Sequence, residues 1–92
     1  ATVMREEEIK RIIYEAFKEN RDLNEFIKRL TIKFEYSLVF GNPFVEFCYG
    51  GRCIGTYVVE IYCKRKHIEV YVDVEDRKIK KIKEIRIRDL VF

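Results

Sequence analysis

The sequence predicts an α+β domain: two N-terminal helices packed on one face of an antiparallel meander sheet of about five strands. Three observations point to it. Apolar residues recur at helical spacing up to Leu30, and from Thr31 they recur at alternate positions. Gly50-Gly51 separates two apolar and aromatic runs, as a tight hairpin turn requires. No linker, repeat or low-complexity stretch divides the 92 residues, so residues 1–92 read as one domain, helical over 4–30 and sheet over 31–92.

The first helix spans Met4 to Asn20, with Ile9, Ile12, Ile13, Ala16 and Phe17 on one face. Glu6, Glu7 and Glu8 lie in its first turn, where negative charge complements the exposed amides. Asn20-Arg21-Asp22 interrupts it. Asp22 with Glu25 three residues on has capping-box form and opens a second short helix, whose apolar side is Leu23, Phe26, Ile27 and Leu30. From Thr31 to Phe40, alternation of Ile32, Phe34, Tyr36, Leu38 and Phe40 predicts a half-buried strand that ends at Gly41-Asn42-Pro43.

The Gly50-Gly51 hairpin follows. Two glycines both accept positive φ, so a two-residue turn sets Tyr49 opposite Arg52 and Cys48 opposite Cys53. The cysteines then occupy a non-hydrogen-bonded pair, where side chains approach most closely, and a cross-strand disulfide is expected. The strand from Arg52 runs to Cys63, turns at Lys64-Arg65-Lys66-His67 and returns over Ile68–Val74. A symmetric turn pairs Cys63 with Ile68, Ile61 with Val70, Val59 with Val72 and Tyr57 with Val74, all on the face that carries Cys48, Cys53 and Phe44. In the last strand, Ile79, Ile85 and Ile87 share one parity and Ile82 the other; a bulge near Lys80-Lys81 reconciles them.

The polar residues are unusual. Charged residues make up 38% of the chain, yet there is no Gln and only one Ser, so the composition matches that of hyperthermophile proteins, from an archaeon or a virus infecting one. In such cells intracellular disulfides occur, which suits the Cys48–Cys53 pair and leaves Cys63 as a buried, inert thiol. No stretch reaches the roughly 18 apolar residues of a membrane helix, and no signal peptide is evident, so a cytoplasmic protein is expected.

Opposite the core the register gathers Val45, Phe47, Tyr49, Ile54, Val58, Tyr62 and Tyr71. A solvated antiparallel face is normally polar, and an apolar one marks an interaction surface. Three readings compete. The first is a homodimer, in which Phe47, Tyr49, Ile54, Tyr62 and Tyr71 form the interface. The second is a stacking platform for single-stranded nucleic acid, contacted by Arg52, Lys64, Arg65, Lys66, Lys80 and Arg86. The third is burial of the face by the tail Leu90-Val91-Phe92 or by the first helix. Charge favours the second to a degree: Lys64–Arg88 holds ten basic and five acidic side chains, net +5, against −1 from Ala1 to Cys63. Lysines on an edge strand also block aggregation, however.

Catalytic chemistry finds little footing. Cys48, Cys53, Cys63 and His67 suggest zinc, but Cys53 to Cys63 along one strand spans roughly 33 Å, far beyond one coordination sphere. His67, the only histidine, reads as a solvated turn residue on the face opposite Cys63. Glu60 opposite Tyr71 and Tyr62 opposite Glu69 read as cross-strand pairs. Glu46 points by parity to the core face beside Gly55, as a rim residue, a partner of a helix lysine or a functional acid. No acid, base and nucleophile converge, and no cofactor or metal is implied. The sequence thus reads as a small, thermostable, non-catalytic binding protein, a homodimer, with single-stranded nucleic-acid binding as the alternative.

Overall fold

In a computed structural model that describes residues 4–90, the apolar stripes of two helices meet one face of a four-stranded sheet. Helix α1 (Glu6–Glu19) buries Ile9, Ile13 and Ala16, and α2 (Leu23–Lys33) buries Leu23, Phe26 and Leu30. The Asp22 side chain caps α2 by accepting from the Glu25 amide at 3.2 Å, as its capping-box form requires. The linker between the helices is tied to the sheet: the Leu23 amide donates to the Arg77 carbonyl at 2.8 Å, and the Ile79 amide to the Arg21 carbonyl at 2.7 Å. Among the described residues no helix is long and apolar enough to cross a membrane.

The strands are β1 (Leu38–Tyr49), β2 (Arg52–Cys63), β3 (Lys66–Glu75) and β4 (Lys78–Asp89), an antiparallel meander in chain order. Four strands replace the expected five for two reasons. Residues Thr31 to Lys33 continue α2, because the helical series Phe26, Leu30, Phe34 competes with the alternating series and captures its buried member. Phe34 is 1% exposed, whereas Ile32 is 75% and Tyr36 99% exposed. Gly41-Asn42-Pro43, in turn, does not end a strand. β1 runs through it, and its register slips between Pro43 and Val45. A proline and a bulge are both tolerated on an edge strand, where proline's missing N–H removes no ladder bond.

Each connection between strands is a two-residue turn with both residues at positive φ: Gly50-Gly51, Lys64-Arg65 and Asp76-Arg77. Such turns match the right-handed twist of the flanking strands. The β2–β3 register therefore differs by two residues from the symmetric four-residue turn. Cys63 pairs with Lys66, Ile61 with Ile68, Val59 with Val70 and Tyr57 with Val72. A shift of two preserves parity, so the core face is the expected one: Val59, Ile61, Cys63, Ile68, Val70, Val72 and Val74 are buried beneath the helices. In β4 two register shifts, at Lys83 and Lys80, bring Ile87, Ile85, Ile82 and Ile79 opposite core-facing residues of β3.

Candidate functional site: the open face of the sheet

Both helices pack on the face defined by Val59, Ile61, Val70 and Val72, so α1 does not cross the opposite face. Leu90 lies at the β2–β3 turn, where its amide donates to the Arg65 carbonyl at 2.7 Å; Val91 and Phe92 lie outside the described residues. Among the described residues nothing covers the open face.

That face has two halves. The half built by the β1–β2 hairpin is apolar and exposed, with Phe44 65%, Val45 48%, Phe47 71%, Tyr49 91% and Ile54 53% exposed. Phe44 belongs here and not to the core face. The bulge after Pro43 places it beside Tyr71, their rings edge-on at 5.9 Å and 88°. Cross-strand pairing sets Phe47 against Ile54 and Tyr49 against Arg52, as the turn predicts. A shallow groove of about 540 Å³ runs from Phe44 and Val45 past Thr56 and Tyr71 to Lys83 and Arg86.

Tyr62 and Tyr71 are half-buried. Tyr62, on β2, is flanked by Phe40 of β1 at 6.1 Å and by His67 of β3 at 4.5 Å, the His67 ring within 6° of parallel. The Arg86 guanidinium lies 5.2 Å from the Tyr71 ring centre, a cation–π arrangement. Arg86 also donates to Glu84 at 2.7 Å, which holds the Glu84 carboxyl below the usual carboxylate range.

The basic residues do not form one patch. Arg52 sits at the hairpin end, bonded to Glu75 and 3.4 Å from Asp76. Lys64 and Arg65 form the turn at the opposite end of β2, beginning twelve residues along, or about 40 Å for extended chain. Lys66 pairs with Asp89 at 2.6 Å. Lys80 lies in a β4 bulge and lines a groove with Val45, Phe47 and Ile54.

The other half is polar, on the expected face but with a different cross-strand pairing. His67 is a β3 residue, 9% exposed, and not a solvated turn residue. The two-residue turn also sets Tyr62 opposite His67 and Glu60 opposite Glu69, in place of the expected Glu60–Tyr71 and Tyr62–Glu69 pairs. His67 Nε2 is 3.0 Å from Glu60 Oε1, and Arg88 Nη2 lies 3.3 Å from His67 Nδ1 and 3.0 Å from Glu69 Oε1. The parity that put His67 on this face was the available signal; the turn length that brings it against Glu60 was not.

On the reverse face, beyond the reach of the helices, the Cys48 and Cys53 sulfurs lie at disulfide distance with Cα atoms 4.1 Å apart. Glu46 is exposed beside them, opposite Gly55, and accepts a hydrogen bond from the Tyr57 hydroxyl at 2.7 Å. That bond, with burial and the carboxylate charge, raises the Tyr57 pKa. Cys63 is free and buried, its thiol facing the Glu35 carbonyl at 3.6 Å, and burial pushes its pKa up. Cys63 and His67 thus sit at the far end of β2 and β3 from the Cys48–Cys53 pair.

Compared with known proteins, the chain matches no family model, no curated protein and no solved structure.

Proposed function

We propose that the protein is a small, non-catalytic interaction module that forms a symmetric homodimer through the open face of its sheet. The observation that carries this is the contiguous exposed group Phe44, Val45, Phe47, Tyr49 and Ile54. Monomeric proteins rarely leave so many large apolar side chains together in water. A two-fold contact lets one patch cover its own copy, and a domain of this size gains core by doing so. The composition supports a heat-stable protein of a hyperthermophilic archaeon or its virus.

A second reading is favoured by one spot: Tyr71, with Phe44 at its edge and Arg86 over its ring, lines a groove that also holds Lys83. An aromatic ring beside cations suits an unpaired base and its phosphate.

Light scattering at low and high salt, with and without a short single-stranded oligonucleotide, separates the two. A dimer shows about twice 11.2 kDa at every salt concentration, because apolar burial is not screened. Nucleic-acid binding shows a mass increase that vanishes as salt rises. A monomer at all salt concentrations with no response to the oligonucleotide overturns both.

A further inference from the structure

Glu60 and Glu69 face each other directly across β2 and β3. Like charges in that position cost stability unless something positive sits between them. His67 stands beside them, and the three side chains present donor atoms that all lie within 4.8 Å of one another. The donors are held: side-chain exposure is 11% for His67, 21% for Glu60 and 15% for Glu69, and the imidazole stacks on Tyr62.

The present hydrogen bonds define the imidazole tautomer. A guanidinium has only donors, so Arg88, 3.3 Å from Nδ1, makes that nitrogen the acceptor. The ring proton is therefore on Nε2, donated to Glu60 at 3.0 Å. The cation now in place is Arg88, whose side chain is 62% exposed and comes from the edge strand.

We propose that Glu60, His67 and Glu69 form a site for one divalent cation of the zinc class, and that Arg88 is the cation it displaces. One imidazole and two carboxylates are an N/O donor set suited to zinc, and three protein ligands leave a further position open to solvent. Magnesium fits less well, since it prefers oxygen ligands in near-ideal octahedral geometry. The charges match: two carboxylates neutralise the ion once the arginine has left. His67 ligates through Nε2, the nitrogen aimed at Glu60. Its proton passes to Nδ1, so none is released by the ring, and the new Nδ1–H faces a donor until Arg88 moves away. The outer nitrogen of a ligating histidine normally donates to an acceptor, so binding requires Arg88 to leave and removing Arg88 strengthens it.

His67 is the only histidine, so the long-range ¹H–¹⁵N imidazole spectrum of the tag-free chain reports on this ring alone. Without metal it shows the Nε2–H tautomer. Zinc chloride, with the Cys48–Cys53 bond kept oxidised, converts it to Nδ1–H and saturates at one ion per chain; magnesium chloride leaves it unchanged. R88A binds zinc on the order of tenfold or more tightly, through loss of a positive charge beside the ion, and E69Q binds correspondingly more weakly. Ring resonances unmoved by zinc up to roughly 1 mM, or an R88A variant that folds normally and binds zinc no more tightly, overturn the assignment.

Discussion

Replacing Phe47 with glutamate tests the role of the open face at its most exposed apolar ring. Phe47 is 71% exposed, and a phenylalanine side chain presents about 200 Å². Covering it removes about 140 Å² of apolar surface from water, about 3.5 kcal/mol at ~25 cal/mol per Å². Two-fold symmetry counts the residue twice, so the variant forfeits about 7 kcal/mol per dimer. Buried area overstates association energy, because ordering and desolvation costs offset part of it. A loss of about 4 kcal/mol, a thousandfold in dissociation constant, is a conservative expectation. Sedimentation velocity over a concentration series, parent against F47E, reads this directly. The parent sediments as a dimer and F47E as a monomer at the same concentrations. Phe47 makes no part of the buried core, so the far-UV circular dichroism of F47E stays that of the parent. A folded F47E with the parent's dissociation constant would falsify the assignment of the interface to this face.

Three further outcomes follow from the same geometry. The Cys48–Cys53 bond closes a loop with a sequence separation of 5, so the C48S/C53S variant loses only about 2 kcal/mol or less; a fall in the thermal midpoint of more than about 15 °C contradicts a local role. Gly55 admits no side chain, since a Cβ there falls 2.8 Å from Glu46 Cα and is driven into the Val45 backbone. G55A therefore costs at least about 2 kcal/mol in denaturant unfolding, and a neutral result means the β1–β2 crossing is wider than described. Tyr57 donates to Glu46, which raises its pKa above the ordinary tyrosine value, about 10. The protonated phenol is the form the fold favours, so this contribution is complete below that pH and is lost as pH rises through the folded pKa. The stability difference between the parent and Y57F, about 1 kcal/mol at neutral pH, should shrink at pH values above the folded pKa; a constant difference refutes the hydrogen bond.

The faces of the sheet were legible in the sequence. Alternation put Val59, Ile61, Val70 and Val72 together and Phe47, Tyr49, Ile54, Tyr62 and Tyr71 opposite them, and the structure keeps both sets. The β2–β3 register was misjudged by two residues, yet no side chain of those strands changed face, because strand parity repeats every two. The Gly50-Gly51 turn was also legible, since glycine accepts positive φ without cost. The Lys64-Arg65 and Asp76-Arg77 turns use the same backbone, with φ of 50°, 64°, 49° and 70°. None of these residues advertises that conformation, which L side chains adopt at a cost. Twist imposed by the paired strands on either side outweighs it.

The extent of α2 and the course of β1 were decided by packing. Phe34 belongs to a helical and an alternating series at once, and the core took it in the helical one. The bulge after Pro43 moved Phe44 from the core face to the aromatic one. The cluster of Glu60, His67, Glu69 and Arg88 joins three strands and was invisible in any one of them. What depends on local period could be read along the chain: helices before strands, the two faces of the sheet, the glycine turn and the cysteine pair. Which residue lies opposite which emerged on folding, because that depends on how each turn closes and where each strand bulges, and those are settled by contacts between segments far apart in the chain.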